Sequence, residues 1–172
     1  MLQDFCITHT IPDFNRHKND VLQKIASLGI HSSICDDQKI SNTDWYLQEK
    51  VDRSYIQPLL NEIQEALKTL HTKVYALLPD SSVNFKFNQY WFQQYESGDF
   101  HSWHAHDVSY AGVIFIELHE GAETRFLVNG ETKTIPVSEG QIILFPAMIP
   151  HCSPPNMSGH RKTSIAFNVS IT

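Results

Sequence analysis

From residue 83 onward, short runs of aromatic and β-branched residues alternate with turn residues at intervals of about ten. The breaks fall at Ser97-Gly98, Glu120-Gly121, Asn129-Gly130 and Glu139-Gly140, and in the proline-rich stretch 154–159. Asn129-Gly130 is a dipeptide that favours a type I′ hairpin turn. Regularly punctuated short runs are typical of an all-β sandwich or barrel. We predict strands at 83–96, 99–105, 109–118, 122–128, 131–137, 140–145, 148–153 and 161–170.

The residues before this region follow a helical pattern. One apolar stripe over 12–29 ends at a glycine, and a second over 54–71 has Pro58 in its first turn, where proline is tolerated. We therefore expect a mainly β (α+β) fold, a double-stranded β-helix or jelly roll with about two N-terminal helices packed outside. All 172 residues are expected to form one domain, with helical support at 12–80 and the jelly-roll core at 83–170.

Two other segments of the first half have weaker patterns. Residues 1–11 alternate loosely between apolar and polar and predict an outer strand. Residues 31–50 have no clear period, are mainly polar and predict a long loop that crosses one face of the barrel. Trp45 and Tyr46 are large side chains for a solvated loop. Either they anchor the loop to the core, or they edge a substrate cleft.

The composition is that of an ordinary globular protein, with 41% hydrophobic and 19% charged residues. A formal net charge of −6 disfavours non-specific binding to nucleic acid or to an anionic membrane. Cys6, Cys35 and Cys152 are few and far apart, so neither a disulfide framework nor a Cys-x-x-Cys metal site is indicated. This cysteine usage indicates a reducing setting, so we expect a cytoplasmic protein. The sequence shows neither a signal-peptide pattern nor an apolar run of membrane-spanning length.

Two histidines two residues apart, His104 and His106, follow a glycine turn. On an extended strand such residues point to the same face, so their imidazoles can converge on one metal ion. His151, on another predicted strand, is the best candidate for a third ligand. Three ligands leave open positions, as at a catalytic metal, whereas structural zinc usually has four protein ligands. The other histidines of this half are expected to be structural or exposed: His101, His119 and His160.

The last predicted strand begins with two cations, Arg161 and Lys162. Alternation places Lys162 on one face with Ser164, Ala166 and Asn168, and Arg161 on the other face with apolar residues. Small and polar residues suit a cofactor-lined interior, so Lys162 is favoured to face inward, where an ammonium group can bind a carboxylate. Arg161 is the alternative, and a third alternative is that both cations face solvent.

Several segments follow one another in the order of a known series of motifs. Tyr95-Glu96-Ser97-Gly98 resembles a Tyr-x-x-Gly lead-in to a His-x-Asp pair. Residues 120–126 resemble a Gly-Gly-x-Thr-x-Phe turn, with Ala122 in place of the second glycine, and residues 140–151 resemble a strand that leads to a second histidine. Over roughly residues 84–170, the chain resembles the iron(II)/2-oxoglutarate-dependent oxygenases, in particular their prolyl-hydroxylase-like branch.

The resemblance implies a cofactor, a cosubstrate and an enzyme activity. The three histidines would bind iron(II), and 2-oxoglutarate would chelate the metal and pair its far carboxylate with Lys162 and Ser164. Tyr90, Tyr95 and Thr124 would line the cosubstrate pocket or pack in the core. No catalytic side chain beyond the metal ligands is implied. The activity would be a dioxygen-dependent hydroxylation in which 2-oxoglutarate yields succinate and carbon dioxide. The family favours a peptide side chain as primary substrate, with a small metabolite or a nucleobase as the alternatives.

One position departs from the family pattern, because His106 stands where a carboxylate ligand is expected. Small, poorly characterised oxygenase-like proteins of phages and bacteria resemble this chain in having His-x-His there. Asp107 is the alternative ligand if the strand turns. Residues 98–106 and 140–151 also resemble the two motifs of cupins, although 108–111 lack the expected glutamate. A cupin-type 2-oxoglutarate-independent dioxygenase or isomerase, or a non-catalytic metal-binding module, is therefore the competing hypothesis.

Overall fold

Two antiparallel sheets form the body of the protein, which a computed structural model describes over residues 6–30, 33–35, 38–77 and 84–172. The larger sheet contains β1 (Ile7–Thr10), β4 (Asn42–Thr43), β5 (Phe85–Tyr95), β7 (Tyr110–Glu117), β10 (Gln141–Pro146) and β12 (Lys162–Ile171). The smaller contains β6 (His101–His104), β8 (Arg125–Val128), β9 (Glu131–Thr134) and β11 (His151–Ser153). Two short strands, β2 (Ile34–Cys35) and β3 (Lys39–Ile40), pair with each other. Each strand predicted from residue 83 onward corresponds to one of these, so the mainly β prediction is confirmed.

From β5 to β12 the chain passes repeatedly between the two sheets. β5, β7, β10 and β12 belong to the larger sheet, whereas β6, β8, β9 and β11 belong to the smaller. The strand order is β1-β10-β7-β12-β5-β4 in the larger sheet and β6-β11-β8-β9 in the smaller. Such crossing is typical of jelly-roll-like folds. It places strands that are distant in sequence, such as β6 and β11, side by side.

Hydrophobic cores cover both faces of the larger sheet, because successive side chains of a strand point to opposite faces. On β10, Ile142 and Leu144 pack toward the helices, whereas Ile143 and Phe145 pack toward the smaller sheet. Strands buried on both faces are expected to be apolar almost without interruption. β7 and β10 come close to this composition, whereas β12 carries the polar residues Lys162, Ser164 and Asn168 on one face.

One close approach inside the larger sheet requires a glycine. Gly112 on β7 pairs with Phe167 on the neighbouring strand β12. A Cβ atom added to Gly112 would lie 2.1 Å from Cζ of Phe167, far inside van der Waals contact. The aromatic ring therefore occupies the space that any other residue at position 112 would need.

Two α-helices, α1 (Phe14–Ser27) and α2 (Leu60–Leu77), pack their apolar stripes against one face of the larger sheet. α1 ends just before Gly29, which has a positive φ of 60° and gives the chain its predicted stop. The two N-terminal helices are therefore confirmed. Among the helices of the described residues, none is long and apolar enough to cross a membrane.

The predicted bounds of the second helix, 54–71, were wrong at both ends. Ser54–Leu59 form a 3-10 helix that contains Pro58, and the α-helix begins only after it. Proline has no amide hydrogen to donate, so it fits the start of a helical segment better than its interior. At the other end, Val74 continues the buried stripe beyond the predicted end.

The segment 31–50, predicted as a long loop, contains β2, β3, β4 and a 3-10 helix, Trp45–Lys50. Strands of two residues are too short to show a period. Trp45 and Tyr46 are 36% and 63% exposed, so neither is an anchor in the core. Some predicted segments lie outside the described residues: 1–5 of the outer strand, 31–32 and 36–37 of the loop, and 78–83 before the first long strand.

Candidate metal centre

Three histidine side chains converge at one end of the smaller sheet. His104 ends β6, His151 begins β11, and the two residues are directly opposite each other in the antiparallel pair. His106 follows β6, and its backbone N–H donates a hydrogen bond to the carbonyl oxygen of Ala147 over 2.9 Å. One ligand nitrogen from each ring lies within 4.8 Å of the other two. Imidazoles that are far apart in sequence are thus within reach of one ion.

The Nδ1 atom of each ring faces an oxygen acceptor. For His104 and His151 this is the carbonyl oxygen two residues earlier, at 2.8 and 2.9 Å. For His106 it is Oδ1 of Asn168 on β12, at 2.8 Å. Because these oxygens only accept, each Nδ1 carries the hydrogen and each Nε2 keeps its lone pair. Outer partners of this kind fix ring orientation and tautomer at metal sites.

Burial favours the neutral form of two of these imidazoles, His104 and His151. Desolvation, the larger cause, and the nearby ring of His104 together lower the pKa of His151 to about 3. Desolvation likewise lowers the pKa of His104. The ring of His151 also packs edge-on against Phe145, with centroids 4.7 Å apart. Since neutral imidazole is the form that binds metals, the rings of His104 and His151 need not lose a proton at neutral pH before they can act as ligands.

A fourth histidine, His101, lies against this group, where the sequence indicated a structural or exposed residue. Its ring stacks on that of His104 with centroids 3.9 Å apart. Residues three apart face opposite sides of a regular strand. Here the register shifts, since His151 pairs with His104 whereas Ser153 pairs with His101. The extra residue is a β-bulge that turns His101 to the same side. Nε2 of Gln93 lies 3.3 Å from Nδ1 of His101.

A buried cation, Lys162, lies at the start of β12. Its side chain is only 2% exposed, and its Nζ donates to Ala122 O over 2.6 Å and to Ser153 Oγ over 2.8 Å. The ammonium group also lies 5.1 Å from the centroid of the Tyr95 ring. None of the described residues forms an ion pair with Lys162. Desolvation lowers the pKa of Lys162 to about 7, because only neutral groups touch the ammonium.

One narrow cavity between the two sheets connects the histidines to Lys162. The triad and His101 line one part of it. The other lining residues that bear polar side chains are Gln93, Tyr95, Thr124, Ser153, Lys162 and Ser164. Three imidazole nitrogens and an ammonium without an ion-pair partner among the described residues thus line the same cavity. The lining offers ligand atoms for a metal ion and an ammonium group that can bind an anion.

Solved structures provide the comparison with known proteins. A prolyl hydroxylase from Trichoplax adhaerens, in complex with a hypoxia inducible factor oxygen degradation domain peptide fragment, has a TM-score of 0.68 at 11% identity. The match covers 97% of this chain and 84% of that one. A Pseudomonas putida prolyl-4-hydroxylase has a TM-score of 0.60 at 15% identity, covering 95% and 92% of the two chains. The chain has the fold of the 2OG-Fe(II) oxygenases.

A third match has the same 2OG-Fe(II) oxygenase fold. It is an oxidoreductase of the 2OG-Fe(II) oxygenase family from Burkholderia pseudomallei, with a TM-score of 0.53 at 14% identity. The match covers 67% of this chain and 58% of that one, so this chain spans less than two thirds of its length. No protein-family model and no curated protein matches the sequence. The predicted resemblance is therefore confirmed by fold, with the sequence itself far diverged.

Within this fold, several predicted cosubstrate residues do line the cavity. Tyr95, Thr124 and Ser164 are all buried there, together with Lys162. Desolvation raises the pKa of Tyr95, so its hydroxyl stays protonated. These side chains provide hydroxyl groups and one ammonium group around the same end of the cavity.

Other predicted residues lie elsewhere. Tyr90 is on the face of β5 that points away from the cavity, and its ring stacks on Phe87 with centroids 5.3 Å apart. Arg161 is exposed and its Nε pairs with Oε2 of Glu117 over 2.9 Å. Asp107 is exposed, and the described cluster of ligands contains His106 instead. Alternation along β5 separates Tyr90 from Tyr95, since the two are an odd number of residues apart.

Proposed function

We propose that this protein is an iron(II)- and 2-oxoglutarate-dependent oxygenase, with the two sheets forming the double-stranded β-helix of one domain. The observation that carries the proposal is the content of a single cavity. A three-histidine donor set lies in one part of it, and a buried ammonium group without a carboxylate partner lies in another. An apolar core alone explains neither feature, because burying an unpaired charge destabilises a fold.

The donor set fits iron(II). We propose His104, His106 and His151 as its ligands, each through Nε2, because every Nδ1 already donates a hydrogen bond. Imidazole suits iron among the first-row metals, and three protein ligands leave open positions for other molecules. Iron(II), when bound with 2-oxoglutarate and dioxygen, supplies the oxidising power for attack on an unreactive C–H bond. The chain's own side chains contribute orientation and the exclusion of water.

The opposite end of the cavity fits the far carboxylate of 2-oxoglutarate. We propose that Lys162 binds this carboxylate, with Ser164 and Thr124 as further hydroxyl donors and Tyr95 as the floor beneath the ammonium. An arriving anion would raise the pKa of Lys162 again, so the lysine would take up a proton as the cosubstrate binds. Charge-assisted hydrogen bonds of this kind are among the stronger polar contacts in proteins.

The primary substrate is proposed by analogy with the matched structures. One of these contains a peptide fragment, so a peptide side chain is the first candidate and a small metabolite is the second. We further propose a cytoplasmic location, since the three cysteines are sparse and the chain has no pattern of a secreted disulfide protein.

An anaerobic titration tests the proposal. Protein loaded with iron(II) under argon is titrated with 2-oxoglutarate, and we expect a weak visible absorption band as the keto acid chelates the metal. Lys162→Met should weaken this titration at least about tenfold, since a hydrogen bond to a charged group contributes roughly 1.5–3 kcal/mol. Lys68→Met, a change on the exposed face of α2, is the matched control and should leave the titration unchanged.

The competing hypotheses predict different results. A cupin-type enzyme independent of 2-oxoglutarate would bind the metal, but adding 2-oxoglutarate would produce no visible absorption band. Lys162→Met would then leave the titration unchanged. A non-catalytic metal-binding module would, in air, form no succinate from 2-oxoglutarate. Either result would overturn the proposed function.

A further inference from the structure

All three tryptophans of the chain line one open cleft beside the candidate metal centre. The sequence contains only Trp45, Trp91 and Trp103, and each of them contributes to a cleft of about 440 Å³. His104 and His106 lie in the wall of the same cleft, so a molecule seated in it would be next to the metal ligands. A concave site of this size and aromatic content is typical of small-molecule or side-chain recognition.

The indole rings of Trp45 and Trp91 form a corner. Their centroids are 4.0 Å apart and their planes cross at 72°. Trp91 in turn stacks over His106, with centroids 6.2 Å apart and planes inclined by 24°. The corner therefore joins the ring of a proposed metal ligand to a partly exposed tryptophan at the mouth of the cleft.

A buried polar network holds Trp45 in this position. The preceding residue, Asp44, has no exposed side-chain surface and pairs with Nε of Arg53 over 2.7 Å. Its carboxylate also accepts hydrogen bonds from the hydroxyl of Tyr55 at 2.8 Å and from the backbone N–H of Phe92 at 2.9 Å. These contacts hold the backbone at Asp44 and so fix the point from which the side chain of Trp45 extends.

The charge of the cleft favours a cation. Among the described lining residues, none is lysine or arginine, and Asp107 carries the only carboxylate. Oε1 of Gln38, also in the lining, is buried and has no hydrogen-bond partner among the described residues. An acceptor without a donor is costly, and an N–H group from a ligand would satisfy it.

We infer that this cleft binds the primary substrate of the proposed oxygenase through a protonated alkylamine group. The faces of the tryptophans would attract the cation, as indoles are the best cation–π partners. Asp107 would balance its charge at the rim, and Gln38 would accept its N–H. The inference rests on the proposed function only where it calls the bound amine the substrate of an oxidation. Binding of the amine itself needs neither iron nor cosubstrate.

Two probes of equal shape test the inference. N,N-dimethylethanolamine is a cation at pH 7, whereas 3-methylbutan-1-ol replaces its N–H by a C–H and is neutral. Saturation-transfer NMR on the methyl signals of each probe gives its affinity for the full-length protein. We expect the ammonium probe to bind about tenfold more tightly, a difference of about 1.4 kcal/mol. Equal affinities, or tighter binding of the alcohol, would overturn the inference.

Three variants separate the cleft from unspecific binding. Asp107→Asn alters an exposed side chain, and Trp45→Leu removes one wall of the corner. Each should weaken the ammonium probe several-fold and leave the alcohol less affected. Tyr46→Leu, the matched control, changes an exposed aromatic neighbour outside the lining and should change neither affinity. If Asp107→Asn and Trp45→Leu both still bind the ammonium probe more tightly than the alcohol by the same factor, the cation does not bind in this cleft.

Failure of this inference and failure of the proposed function give different results. If the anaerobic 2-oxoglutarate band appears but the two probes bind equally, the oxygenase proposal stands and the amine inference falls. If the ammonium probe binds preferentially but no band appears, the cleft assignment stands and the oxygenase proposal falls.

Discussion

Replacing Lys162 by Met removes a buried charge while keeping a side chain of similar length. Burial lowers the pKa of this lysine from its ordinary 10.5 to about 7. Between these two values the unfolded chain binds more protons than the folded one, so the stability of the wild type rises with pH across this window. The methionine variant has no such dependence at this position.

The magnitude follows from the two pKa values. In the metal-free wild type, the lowered pKa of Lys162 reduces the unfolding free energy by about 4 kcal/mol at pH 7. At pH 9 the reduction is only about 2 kcal/mol, because less of the unfolded chain is protonated at this lysine. The unfolding free energy of the variant minus that of the wild type should therefore fall by about 2 kcal/mol between pH 7 and pH 9. Groups that titrate in this range and do not interact with Lys162 are present in both proteins, so their contributions cancel in the difference.

Urea unfolding of metal-free protein at pH 7, 8 and 9 measures this difference. Lys68→Met on the surface serves as the control, and its difference from the wild type should stay constant with pH. The lost hydrogen bonds to Ala122 O and Ser153 Oγ shift the absolute value equally at every pH. A difference for Lys162→Met that does not change with pH would refute the reasoning, because the ammonium would then not be desolvated.

Three further changes address the metal centre and the sheet. His151→Ala should abolish stoichiometric binding of iron(II), measured by elemental analysis after gel filtration, since two remaining imidazoles make a poor site. Asn168→Ala should weaken metal affinity by about 10- to 100-fold, because Nδ1 of His106 loses its acceptor; an unchanged dissociation constant would contradict that role. Gly112→Ala should destabilise the fold by roughly 1–3 kcal/mol in urea unfolding, as its Cβ meets the ring of Phe167.

The sequence contained enough to anticipate the core of the site. The i, i+2 spacing of His104 and His106 needs only an extended backbone to bring the two rings together. The inward direction of Lys162 follows from alternation with Ser164 along a strand whose other face is apolar. Regular period also located the long strands and the first helix, because their apolar patterns extend over enough residues to be distinguished from chance.

Irregular backbone explains what was missed. His101 reaches the histidine group only through a bulge in β6, and a one-residue change of register cannot be read from the residues themselves. The placement of Trp45 depends on Asp44, whose partners come from β5 and from a distant 3-10 helix. By contrast, the sequence already argued against placing Tyr90 in the cosubstrate pocket with Tyr95. The two residues are an odd number apart on one strand, so their side chains point to opposite faces.

The hydrogen bond between His106 and Asn168 links the two layers of the molecule, because His106 follows a strand of the smaller sheet and Asn168 belongs to the larger. Lys162 lies on that same strand of the larger sheet, so a cosubstrate that bridged the triad and Lys162 would fasten the layers at a second point. Binding of the metal and the cosubstrate would then stiffen the scaffold in the same step. Amide hydrogen exchange in β6, β11 and β12 should slow together when both ligands are bound. The exchange rates of these strands would then report whether metal and cosubstrate are both in place.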